Sequence, residues 1–215
     1  MQLSPAQIQD EILFWLKQDR EHALFFKLGF DDLALKREAE AVHGLYTRAF
    51  QRGDMAMGLA TLHRSQALKQ RALAAVATGW RGWLFPSFID HTWRELEAMK
   101  MRIAPGGLSS AQDICFWNRM NAEHAGFAAH LLDPVEHALH DAAMGTSRAI
   151  GQLADASCAG QVLPSLLAMS RQAAADLNAF VSDPALLKAK SVIHPVLAAH
   201  VQREGQRSIA ALAAA

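Results

Sequence analysis

The sequence predicts an all-α fold of eight helices, arranged as two tandem four-helix units that pack as one protein. Three observations predict it. Alanine, leucine, glutamine, glutamate and arginine dominate, and runs of β-branched residues are absent. Apolar positions recur three and four residues apart almost throughout, which is the helical period. Start and stop signals divide the chain into about eight segments with short links, a pattern that suits antiparallel bundles.

Each element has its own signal. Ser4 followed by Pro5 opens the first helix, because serine caps orphan amides and proline suits the first turn. Asp31 or Asp32 opens the second after Gly29, and Gly53-Asp54 separates the second from the third. The stretch from Gly79 to Pro86 leads into the fourth. Pro105-Gly106-Gly107, followed by Ser109-Ser110, is the strongest break and lies near the midpoint. It sets the predicted boundary between a unit at 1–104 and a unit at 105–215. Beyond it the pattern predicts helices over 110–131, from Asp133-Pro134-Val135-Glu136 onward, over 160–181 and over 191–211.

Composition narrows the function classes. The 215 residues are 51% apolar, enough for a packed interior. Lysine plus arginine equals aspartate plus glutamate at 21 each, so no global field favours nucleic acid or an anionic membrane surface. Residues 1–7 lack a basic flank followed by an apolar run, and no stretch approaches the roughly 18 to 20 apolar residues of a spanning helix. A soluble, cytoplasmic protein is expected. Cys115 and Cys158 form no Cys-x-x-Cys pair, and they read as buried small apolar residues rather than a disulfide.

The two halves resemble each other. Residues 12–25 match 114–127 at a constant offset of 102, with seven identities in 14 positions. Average residue usage gives about one. The shared residues include Phe14-Trp15 with Phe116-Trp117, and Glu21-His22-Ala23 with Glu123-His124-Ala125. A second match pairs 84–95 with 193–204 at an offset of 109, sharing Pro86/Pro195, His91/His200, Arg94/Arg203 and Glu95/Glu204. Three of those four types are polar, so apolar patterning does not account for them. The halves read as an internal duplication of one helical unit.

Helical geometry then places the shared polar residues. Phe116, Trp117, Met120, Phe127 and Leu131 form an apolar stripe, and Glu123 and His124 flank its centre about 100° apart. Ile193, Leu197, His200 and Glu204 share one face of the last helix, as do Leu84, Phe88, His91, Glu95 and Met99 in the first half. A carboxylate facing an apolar core is costly unless it is paired or binds a metal, and a histidine four residues earlier adds a second ligand atom. Each half thus directs Glu, His, His and Glu inward: Glu21, His22, His91 and Glu95, then Glu123, His124, His200 and Glu204. Aligning 35–39 with 139–143 adds Asp32 and Glu136 as a fifth candidate in each half. Glu136 also has the capping-box spacing from Asp133, and Glu95 and Glu204 have arginines nearby. His43, His63, His130, His137, His140 and His194 are unmatched between halves and read as surface residues.

Imidazole and carboxylate donors suit iron or manganese, mononuclear or dinuclear, and no thiolate is available for a soft metal. Bundle cores that hold metal pairs usually use Glu-x-x-His, whereas here the histidine precedes its glutamate by four residues. These residues resemble a family of bacterial proteins of unknown function with a duplicated ferritin-like unit. Its marks are Phe-Trp-x-x-x-Met-x-Glu-His-Ala-x-Phe, Leu-Asp-Pro-x-Glu and Pro-x-Leu-x-x-His-x-x-Arg-Glu. Phe116 to Phe127, Leu132 to Glu136 and Pro195 to Glu204 carry the resemblance. The first half departs, with Gln18 for Met and Phe30-Asp31-Asp32 for Leu-Asp-Pro-x-Glu. The resemblance implies an iron- or manganese-binding helical bundle.

The expected function is therefore a ferritin-like metal protein, a candidate non-haem oxidase or oxygenase taking oxygen or a small-molecule substrate. The alternative is a non-catalytic metal store, sensor or scaffold with a closed ligand shell. A metal-free hydrolase is weakest, because no nucleophile stands at a recognisable spacing. Trp80-Arg81-Gly82-Trp83-Leu84-Phe85 is a candidate contact for a homodimer, or a linker packed on its bundle.

Overall fold

The computed structural model describes residues 3–215; Met1 and Gln2, part of the start read above for a leader, lie outside them. The described residues form nine helical segments and no strand longer than an isolated bridge. They divide into two compact units on either side of Gly107 and Leu108, where the sequence placed the break after residue 104. No described helix is long and apolar enough to cross a membrane.

Unit 1 holds α1 (Pro5–Gly29), α2 (Leu33–Arg52), α3 (Met55–Ala77) and α4 (Pro86–Ile103). Ser4 caps α1 through a reciprocal capping box with Gln7. The Asp32 carboxylate accepts from the amides of Ala34 and Leu35 at the start of α2. Gly53 ends α2 in the left-handed region that glycine adopts without penalty. Trp15, Phe26, Phe30, Leu68, Ile89 and Met99 fill the core. The start of α4 is fixed by a short loop pairing. Trp83 N–H donates to Gly29 C=O at 2.7 Å, Asp31 N–H donates to Arg81 C=O at 2.9 Å, and Phe30 bridges to Gly82. A Cβ at position 82 would stand 2.1 Å from the Gly29 oxygen, so the close backbone approach requires glycine there.

Unit 2 holds α5 (Ser110–Leu131), α6 (His137–Cys158), α7 (Pro164–Val181), the short α8 (Pro184–Lys188) and α9 (Pro195–Ala214). Ser109 and Gln112 form the capping box of α5. A core of Ala122, Ala125, Ile150, Leu177, Val181 and Leu186 packs behind it, and Trp117 is buried as Trp15 is in unit 1. Val192 N–H donates to Leu131 C=O at 2.9 Å, Asp133 N–H donates to Lys190 C=O at 2.8 Å, and Leu132 bridges to Ser191.

Several starts differ from the sequence reading. The helix expected from Asp133 begins at His137, because Asp133 accepts from Val135 N–H at 3.0 Å and spends one turn before the helix. Gly160, at φ 83°, ends α6, and the next helix waits for Pro164. The last helix begins at Pro195, where His194 Nδ1 accepts from Val196 N–H at 3.1 Å. Segment α8, capped by Asp183, was not expected.

The cysteine reading is also corrected. Cys115 and Cys158 form a disulfide with Cα atoms 4.7 Å apart, and Cys158 is exposed. Cys115 lies near the beginning of α5 and Cys158 at the end of α6, so helices running back along each other bring the two thiols together. A separation of 43 residues leaves no short motif to reveal this.

Candidate metal centre

In unit 1 the His and Glu side chains come from the second half of α1 and the middle of α4. His91 and Glu95, four residues apart, lie one turn over another on α4, and His91 Nε2 is 2.7 Å from Glu95 Oε1. His22 on α1 reaches the other oxygen, with Nε2 3.2 Å from Glu95 Oε2. All three side chains are at most 1% exposed. Phe88 closes one side: its ring stacks on His91 with centroids 6.5 Å apart and meets His22 edge-on at 6.3 Å.

Unit 2 repeats the arrangement with α5 and α9. His200 Nε2 is 3.2 Å from Glu204 Oε1, and His124 Nε2 is 2.9 Å from Glu204 Oε2. All three side chains are at most 3% exposed. Burial pushes the Glu204 carboxyl up, but the His200 and His124 imidazoles outweigh it and hold it well below the ordinary range.

Of the ten residues singled out from the sequence, the structure thus brings His22, His91 and Glu95 together in one unit, and His124, His200 and Glu204 in the other. The other four stand elsewhere, and none belongs to a buried group of metal-capable side chains among the described residues. Glu21 lies 3.9 Å from Arg20, and Glu123 lies 3.7 Å from Arg119 and is a quarter exposed. Adjacent residues on a helix point about 100° apart, and in each Glu-His pair the histidine is the member that meets the glutamate of the other helix. The buried stripe of α5 runs through Trp117, Asn121, His124 and Ala125, which selects the histidine. Asp32 caps α2, and Glu136 accepts from the Lys190 backbone N–H at 2.8 Å, so both stabilise chain turns at helix starts. The unmatched histidines are exposed or half-buried, as expected.

One buried network went unread in the sequence. Asp19 on α1 is fully buried, and its Oδ2 accepts from Tyr46 Oη of α2 at 2.5 Å. Its Oδ1 accepts from Lys69 Nζ of α3 at 2.5 Å, and Lys69 also donates to Thr92 C=O of α4 at 2.8 Å. The same Oδ1 stands 3.5 Å from His22 Nδ1. Burial pushes the Asp19 carboxyl up, yet Lys69 first, then His22, drive it far below the ordinary carboxylate range. Burial, then the Asp19 charge, raises the Tyr46 hydroxyl well above its usual value. The position aligned with Asp19 at offset 102 is Asn121, so a comparison that kept only identities passed over it.

The donor chemistry fits a divalent cation of the iron or manganese type: two imidazoles and one carboxylate, buried, on two helices, with no thiolate. Each of these six side chains belongs to a buried group of histidines and glutamates that could hold a metal ion, with ligand atoms within 4.8 Å.

No protein-family model matches the chain. It is similar to an uncharacterized protein of Acanthamoeba polyphaga mimivirus, 24% identical over 93% of this chain and 78% of that protein. Among solved structures it is similar to an uncharacterized protein from Bacillus cereus, with a TM-score of 0.84 at 19% identity, covering 95% of this chain and 88% of the other. The likeness to the solved structure shows a shared helical fold.

Proposed function

We propose that the chain is a metal-binding protein of ferritin-like type, built from two copies of one four-helix unit and using iron or manganese as a non-haem oxidoreductase. The observation that carries the reading is the convergence of two imidazoles on one buried carboxylate in each unit: His22 and His91 on Glu95, His124 and His200 on Glu204. A fully buried carboxylate needs a compensating cation, and histidine supplies either a proton-bearing partner or a ligand.

The duplication is supported by backbone geometry that the sequence match did not use. The pair Phe30 and Gly82 becomes Leu132 and Ser191 on adding 102 to the first number and 109 to the second. The same additions convert the hydrogen bond from Asp31 to Arg81 into that from Asp133 to Lys190, and Trp83 to Gly29 into Val192 to Leu131. They also convert His22 and Glu95 into His124 and Glu204. Two chain segments with independent offsets that meet in the same way in both halves argue for one ancestral unit.

When bound, iron or manganese would supply oxygen or peroxide activation. The imidazole Nε2 atoms and the glutamate oxygens would hold it, and the Phe88 ring would keep water from one side of the unit 1 set. The test is oxygen uptake by the purified chain on addition of ferrous ion. Catalytic uptake that is lost in Glu95→Gln/Glu204→Gln supports the oxidoreductase. Stoichiometric iron binding without oxygen uptake selects a storage or sensing role instead.

A further inference from the structure

The two units do not support their histidines in the same way. Below the unit 1 set lies a charged hub centred on Asp19, one turn before His22 on α1. Through Tyr46, Lys69 and Thr92 the hub joins all four helices of the unit, and Thr92 directly follows the candidate ligand His91. Unit 2 has an uncharged counterpart. Asn121 stands at the aligned position and donates to Ser208 Oγ of α9 at 3.1 Å, while Asn118 donates to Ser157 Oγ of α6 at 3.3 Å and Ser170 Oγ of α7 at 2.9 Å.

A histidine that ligates through one ring nitrogen is commonly oriented by an acceptor at the other, which fixes the tautomer and raises ligand basicity. Asp19 stands on the Nδ1 side of His22 while Nε2 faces Glu95. Lys69 balances the charge of Asp19, so the carboxylate is stable in the core without a metal and is held rigidly by two donors.

Resting on the metal-binding reading above, we propose that Asp19 is the positioning residue of His22, holding the proton on Nδ1 so that Nε2 is turned toward a divalent cation beside Glu95.

The test uses the full chain and manganese(II), which is stable in air and detectable by its spin resonance. Asp19→Asn/Lys69→Met removes the hub without leaving a lone buried charge, and is expected to weaken manganese binding about 10- to 100-fold relative to the wild type. Nitrogen-15 spectra of the metal-free chain report the His22 tautomer, and the Nδ1-protonated signal is expected to diminish in the hub variant. A merely structural role would not move that signal. A folded hub variant that keeps its affinity and tautomer overturns the positioning role and leaves metal binding standing. A wild-type chain that takes up no manganese or iron overturns both.

Discussion

Replacing Asp19 by asparagine is expected to cost far more stability than replacing Asp19 and Lys69 together. Lys69 Nζ lies 2.5 Å from Asp19 Oδ1, and both side chains are almost fully buried. At an effective dielectric constant of about 20, unit charges at that distance attract by about 7 kcal/mol. Desolvation of both ions offsets much of this, but removing one partner leaves the other charge uncompensated, which costs about 3–5 kcal/mol. Asp19→Asn and Lys69→Met should therefore each lower the unfolding free energy by that amount. The double variant, with no buried charge, should fall within about 1–2 kcal/mol of the wild type. Denaturant unfolding of the four proteins, followed by circular dichroism, gives the coupling from a double-mutant cycle. A coupling below about 1 kcal/mol, with additive single costs, would refute the view that these charges stabilise the core chiefly through each other.

Two further outcomes follow from the same physics. Asp19 and Glu204 are both held below their ordinary values of 3.8 and 4.5, so the unfolded chain takes up their protons first as pH falls. The stability that these two carboxylates contribute to the metal-free protein should be complete above about pH 5 and then fall as pH drops, by up to about 1.4 kcal/mol per pH unit for each group; a flat profile between pH 5 and 3 would contradict it. The disulfide closes a loop across 43 residues between α5 and α6, and Cys158→Ser should lower the unfolding free energy by about 2–4 kcal/mol under oxidising conditions. The loss should vanish when wild type and variant are compared with reductant present.

Much of the helical architecture could be read from period and punctuation, because the signals are local. Ser4-Pro5, Asp32 and Gly53 do in the structure what their side chains and φ preferences suggest. Starts failed where a cap candidate had a competing local use, as at Asp133, whose carboxylate serves a turn ahead of the helix. The i,i+4 pairs His91/Glu95 and His200/Glu204 were legible since one helical face carries both members. The dipeptide Glu-His was ambiguous, since only the orientation of the whole helix decides which neighbour faces inward. Asp32 and Glu136 were drawn into the site by their alignment, although both satisfy backbone amides. Asp19, Tyr46 and Lys69 were invisible because their partners lie 27 to 50 residues away and the second half does not repeat the charge. The disulfide was hidden for the same reason: it depends on how α5 and α6 pair.

The central claim is that the paired histidines and the glutamate between them hold a metal ion. Elemental analysis of chain purified without added metal tests it most directly, repeated after exposure to ferrous and manganous ions and for His22→Ala/His91→Ala/His124→Ala/His200→Ala. The account predicts tightly held iron or manganese in the wild type and none in the folded quadruple variant. A folded wild-type chain that retains no more metal than the variant would contradict it.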